Sequence, residues 1–153
     1  MYILSDQKSA HVPQAARALG FAGVLPFAAL AVAYAWSGSG LQEPALAGFI
    51  AYSALILSFL GGIRWGVASR SKARQATALA ISVLPSLWAF ACLAWPREAA
   101  SVWGLMFGFL ALGWLDTFIP PVGAAAWMRR LRAELTIAVV LCHALLIAAM
   151  IMA

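Results

Sequence analysis

The sequence predicts an all-α, polytopic membrane protein with five transmembrane helices, and three observations carry that reading. Of the 153 residues, 65% are apolar and 10% charged, and the mean hydropathy is +0.92, whereas a soluble domain carries about 25% charged residues. A small domain hides only about two-thirds of the surface its unfolded chain exposes, so this much apolar surface has no place in water. Five charge-free runs, 18–36, 45–63, 76–95, 99–115 and 135–153, have the roughly 17–25 residues that cross a bilayer core about 30 Å thick. All fifteen charged residues fall outside these runs, as expected when a charge at a helix centre costs about 2.5–3.5 kcal/mol. A soluble enzyme domain, a disordered chain and a disulfide scaffold are excluded. So is a β-barrel, whose strands alternate in period two over about ten residues.

In chain order, the first span (18–36) contains Pro26, which removes one backbone hydrogen bond and kinks the helix. A neighbour or a water must then satisfy the freed group. The span ends in Ala33-Tyr34-Ala35, which has the small-x-small form of a signal-peptidase site, but its nineteen apolar residues exceed the usual apolar stretch of a signal peptide. The second span follows Ser37-Gly38-Ser39-Gly40, with Pro44 at a first-turn position. It carries a ladder of small residues, Ala54, Ser58, Gly62 and Gly66, repeated by Gly104 and Gly108 in the fourth span. Such spacing lets helices approach closely in lipid, where apolar burial gives little, and is read as packing seams. The third span contains Pro85, which should kink it in the same way, and stops at Trp95-Pro96. Between the fourth and fifth spans, residues 116–134 open on Pro120-Pro121 and continue as a basic stretch. That stretch reads either as a short interfacial helix anchored by Trp127, Arg130 and Arg132 or as the start of the fifth span. Even this longest segment outside the spans is too short for a second domain, so residues 1–153 form one bundle.

Orientation follows from the basic residues of the loops. With the N-terminus in the cytoplasm, Lys8, Arg17, Arg64, Arg70, Lys72, Arg74, Arg129, Arg130 and Arg132 share the inner side, and Arg97 alone lies outside. Five spans then place the C-terminus in the periplasm. Trp36, Trp95 and Trp103 mark outer helix ends and Trp65, Trp114 and Trp127 inner ones, where amphipathic rings settle; Trp88 lies deeper. The net charge of +5 is explained by this topology and by anionic lipid headgroups. The bilayer, and a membrane-protein partner, are the expected contacts, and nucleic acid is not.

Few residues could do chemistry. Cys92 and Cys142 sit inside spans without a C-x-x-C spacing or neighbouring histidines, so no metal site is expected. His143 is the one titratable group near a membrane midplane. It is either a ligand or proton site, as intramembrane ionisable residues often are, or a packed histidine satisfied by one neighbour. Arg64 and Asp116 stand at the same depth at inner helix ends, and either form a bidentate ion pair or snorkel independently. Five acidic residues and two histidines leave no catalytic residues to name, and no phosphate-binding Gly loop is present.

Val12-Pro13, Leu19-Gly20, Ala22-Gly23 and Leu25-Pro26-Phe27, and above all Ser58-Phe59-Leu60-Gly61-Gly62-Ile63-Arg64-Trp65-Gly66, resemble a domain-of-unknown-function family of small polytopic membrane proteins. That family includes the mitochondrial transmembrane protein sixty-nine. The similarity continues through Leu84-Pro85-Ser86-Leu87, Asp116 and Trp127, and Leu131 to Thr136. Phe59-Leu60-Gly61-Gly62-x-x-Trp65-Gly66, within which Arg64 stands, is its specific part and is read as motif and packing. Many family members carry His where this chain has Arg64, so the resemblance implies no ring-nitrogen ligand there. It implies a small multi-pass protein of the bacterial inner or mitochondrial inner membrane, here read as the bacterial one, with no established activity; whether it holds a cofactor is unknown. The small-residue ladders point to a non-enzymatic assembly factor or accessory subunit acting through helix contacts. The alternative is a binder or carrier of a small apolar or tetrapyrrole-like ligand or a lipid.

Overall fold

The structure, a computed structural model, describes residues 11–36, 39–70, 75–94 and 98–152. Lys8, Lys72, Arg74, Trp95, Pro96 and Arg97 lie outside the described residues. Six helices follow one another: α1 (Gln14–Ala22), α2 (Leu25–Trp36), α3 (Ser39–Ala68), α4 (Gln75–Ala94), α5 (Glu98–Phe118) and α6 (Ala126–Met152). No strand occurs among the described residues. Taken together, α1 and α2 make one of five segments long and apolar enough to cross a membrane.

The break between α1 and α2 has its cause in Pro26, whose ring has no N–H and crowds the carbonyl four residues back, at Ala22. The chain tightens there: Val24 N–H reaches Phe21 O at 2.9 Å instead of a carbonyl four residues back. The Gly23 carbonyl at the break accepts the Tyr52 hydroxyl from α3 at 2.9 Å, so a neighbouring helix supplies the partner that lipid cannot. Pro85 leaves α4 unbroken. Opposite it stands Gly61 of α3, where a Cβ would lie 2.6 Å from the Ser82 carbonyl and 3.3 Å from the Pro85 ring. Beside this contact Ser58 donates to Ser86 at 2.8 Å.

Two expectations change and one left open is decided. Pro44 is not in the first turn, because α3 begins at Ser39, a turn earlier than its apolar run. Its one missing bond falls near the helix start, where water can serve the free carbonyl. Of the two readings of the basic stretch, the second holds, as the start of the fifth span: α6 runs unbroken from Ala126 to Met152. From Trp127 to Leu135 the chain has no Gly or Pro, and Ala, Leu, Met, Arg and Glu are strong helix formers, so nothing there ends a helix. Gly62 and Gly66 do not pack inside the bundle, since a Cβ on either meets nothing within 4 Å. The internal seams use the expected Gly104 and Gly108, whose added Cβ atoms would meet Cys92 and Leu57, together with Gly61 and Gly113, whose Cβ atoms would meet Ser82 and Thr136.

The core is built around α3, which packs against α2, α4 and α5, while α6 closes against α2 and α5. Phe27, Phe49, Leu57, Val102, Leu105 and Leu146 are fully buried. Phe27 sits edge-on to Phe49, Tyr52 and Phe109, so cleavage after Ala35 would remove a central core ring. Trp36, Trp65, Trp103 and Trp114 are exposed on the bundle surface.

Candidate functional site

The beginnings of α1, α4 and α6 and the ends of α3 and α5 lie at one end of the bundle, the basic end. There α3 delivers Arg64, α5 delivers Asp116 and α6 delivers Arg132. Arg64 Nη1 donates to Asp116 Oδ1, and Arg132 Nε lies 3.0 Å from Asp116 Oδ2. All three side chains are 10% exposed or less. Two backbone carbonyls take further donors: Arg64 Nη2 reaches Ile119 O, just past α5, at 3.5 Å and Arg132 Nη2 reaches Leu60 O, within α3, at 3.3 Å. The expected Arg64–Asp116 pair is therefore one half of a buried Arg–Asp–Arg cluster that ties three helices together.

Arg132 was expected as an interface anchor, and its burial corrects that expectation. Because α6 is continuous, Arg132 falls on the face that also carries Val139, His143 and Leu146, at spacings of seven, eleven and fourteen residues. That spacing is the sequence signal that would have found it. Trp127 is half-buried and Arg130 exposed. Arg130 Nε stands 3.4 Å from Glu134, whose other oxygen lies 3.2 Å from Arg17 of α1.

The cluster carries one carboxylate for two guanidiniums, and the buried Arg64 Nε has no acceptor among the described residues. Arg64, Asp116 and Arg132 also line a cavity of about 280 Å³, completed by Arg129, the loop after α5 and the first residues of α6. Gly123 shapes that loop: its φ of +90°, with Ala124 N–H bonded to Pro121 O at 3.0 Å, makes a tight turn that only glycine enters without strain. A second, apolar cavity of about 380 Å³ lies between α1, α3 and α6, walled by Gly20, Phe27, Phe59, Leu135 and Thr136 among others. Arg132 belongs to the walls of both.

His143 lies elsewhere, in the core. It is fully buried, with Phe49, Phe109 and Phe27 ring centroids 4.7, 5.5 and 5.8 Å away. Its Nδ1 stands 2.9 Å from Val139 O, which can only accept, so Nδ1 carries the proton and Nε2 faces the Ser53 hydroxyl at 3.4 Å. Neither cavity has His143 in its wall. Cys92 and Cys142 are free thiols. Among the described residues, no group of three His, Cys, Asp or Glu side chains gathers where a metal ion could sit.

A family model described as "Protein of unknown function (DUF3429)" matches residues 12–148. Transmembrane protein 69 of Xenopus tropicalis is 35% identical over 133 residues, covering 84% of this chain and 51% of that protein. The chain thus spans about half the length of the curated relative it matches. No solved structure matches.

Proposed function

The chain belongs to the DUF3429 family, and on that premise we propose that it is a non-enzymatic protein of the bacterial inner membrane acting through helix contacts. In that role it serves as an assembly factor or accessory subunit of a larger membrane complex. One observation carries the reading. Gly62 and Gly66 stand one turn apart on α3 with open space over both, beside the exposed rings of Phe59 and Trp65. In lipid, glycines four residues apart allow a second helix to come within backbone contact, which is how such helices associate. The strong bias of Lys and Arg toward the basic end supports an orientation with that end in the cytoplasm.

Mild detergent extraction followed by crosslinking mass spectrometry should recover a reproducible partner helix against α3. Gly62→Leu and Gly66→Leu should abolish the crosslinks while leaving the thermal midpoint of the purified protein within a few degrees of the parent. Crosslinks to α3 that survive both substitutions would sink the proposal, as would a chain that extracts without any partner.

A second reading, as a binder of a lipid or another apolar molecule, is favoured by the apolar cavity between α1, α3 and α6. With His143 packed in the core, that reading rests on shape and apolarity and offers no histidine ligand to a tetrapyrrole. Native mass spectrometry of the purified chain should then show a retained apolar molecule, lost on narrowing the cavity with Gly20→Leu.

A further inference from the structure

We propose that the cavity at the basic end is a binding site for a phosphate monoester group, carried either by a lipid headgroup or by a soluble phosphate. The inference goes beyond the partner reading and does not depend on it, because neither Gly62 nor Gly66 lines this cavity.

Charge is the first argument. Among the described residues, the wall holds Arg64, Arg129 and Arg132 against Asp116 alone, a formal surplus of two positive charges. Asp116 already engages Arg64 and Arg132. The nearby Glu134 is engaged by Arg17 and Arg130, and it is not part of the wall. A phosphate monoester carries about −1.5 to −2 near neutral pH, which matches the surplus, whereas a carboxylate would leave one charge over.

The second argument is an unpartnered donor. The Arg64 side chain is 6% exposed, and its Nε–H has no acceptor among the described residues. Buried N–H groups almost always find an acceptor, and a guanidinium presents its donors in a planar fork suited to phosphate oxygens. Here one buried guanidinium binds Asp116 with its Nη1 and Ile119 O with its Nη2, and its Nε alone has no acceptor among the described residues.

Backbone geometry adds a third. Ala124, Ala125 and Ala126 lie in the wall where the 27-residue helix α6 begins. Met128 N–H already bonds Ala125 O at 3.0 Å, but the N–H groups ahead of it at a helix start have no intrahelical partner, and Ala125, immediately before α6, has no side-chain oxygen to cap them. That helix start favours an anion. A volume of about 280 Å³ exceeds a phosphate group and leaves room for several waters at roughly 30 Å³ each, or for the first carbons of an ester.

The test uses the full chain purified in a nonionic detergent, with three probes: inorganic phosphate, short-chain phosphatidic acid and short-chain phosphatidylcholine. Binding is read by thermal shift and native mass spectrometry. Preference for phosphatidic acid over phosphatidylcholine, with no response to inorganic phosphate, would assign the group to a lipid. Saturable inorganic phosphate binding would assign it to a soluble molecule. In either case Arg129→Gln should weaken binding about tenfold. Arg130→Gln, one residue along and outside the wall, should leave binding unchanged. Arg64→Lys keeps the charge facing Asp116 but removes the Nε–H, and should also weaken binding about tenfold. If Arg64→Lys does not fold, the Arg129 and Arg130 variants still decide. The proposal is overturned if neither phosphate probe binds, if Arg129→Gln and Arg130→Gln behave alike, or if a folded Arg64→Lys binds as the parent does. None of these results bears on the crosslinks to α3, so the two proposals fail separately.

Discussion

Asp116 accounts for much of the order at the basic end, because among the described residues it is the one anion between two buried guanidiniums. Removing ions from water costs several kcal/mol each, and their attraction roughly offsets that cost only while the set is complete. Asp116→Asn, which keeps the shape but not the charge, should therefore destabilise the protein by about 3–5 kcal/mol. Urea or thermal unfolding in detergent would show it, with the exposed Arg130→Gln as a control expected within about ±0.5 kcal/mol. Replacing Arg64, Asp116 and Arg132 together by leucine should cost far less than Asp116→Asn alone, since no unpaired charge is left behind. Of this cluster, the matched depth of Arg64 and Asp116 is legible in the sequence. Arg132 is not, as long as residues 124–132 are taken as an interfacial segment, because its face depends on helical phase carried through from the fifth span.

For the helices, the informative contrast is between adjacent glycines. Gly61 faces the Ser82 carbonyl and the Pro85 ring of α4, whereas Gly62 faces open space. Gly61→Ala should cost about 1–3 kcal/mol through overpacking against backbone. Gly62→Ala should be neutral or stabilising by up to about 1 kcal/mol, from helix propensity. Ranking the two by thermal midpoint checks the contact between α3 and α4. The small-residue ladder read from the sequence is right about close approach and one position off in its lower half. Four-residue spacing marks a stripe but does not say which of two neighbouring stripes meets another helix. Pro26 and Pro85 carry a similar ambiguity: both read as kinks, yet only Pro26 divides its helix. Tyr52→Phe, which removes the hydroxyl bonded to Gly23 O, should cost about 1 kcal/mol, measured in the same unfolding assay.

At the scale of the whole molecule, orientation is the open consequence of the charge pattern. In a background lacking Cys92 and Cys142, a cysteine placed at Gly40 should react with an impermeant maleimide added to intact cells. One at Arg130 should react only after permeabilisation, and the reverse pattern would overturn the orientation. The spans themselves were determined by sequence alone. Insertion energies are nearly local sums over each segment, so charge-free runs at 45–63 and 76–95 mark α3 and α4 whatever packs beside them. Only the tertiary structure decided which sides of those helices meet. Lipid tails are as apolar as the helix surfaces, so hydropathy does not separate a lipid-facing side from a buried one. Steric contact at Gly61, one hydroxyl from Tyr52 and the shared carboxylate of Asp116 set the rotations of the helices. They also turned Arg132 from a loop charge into a wall of two cavities.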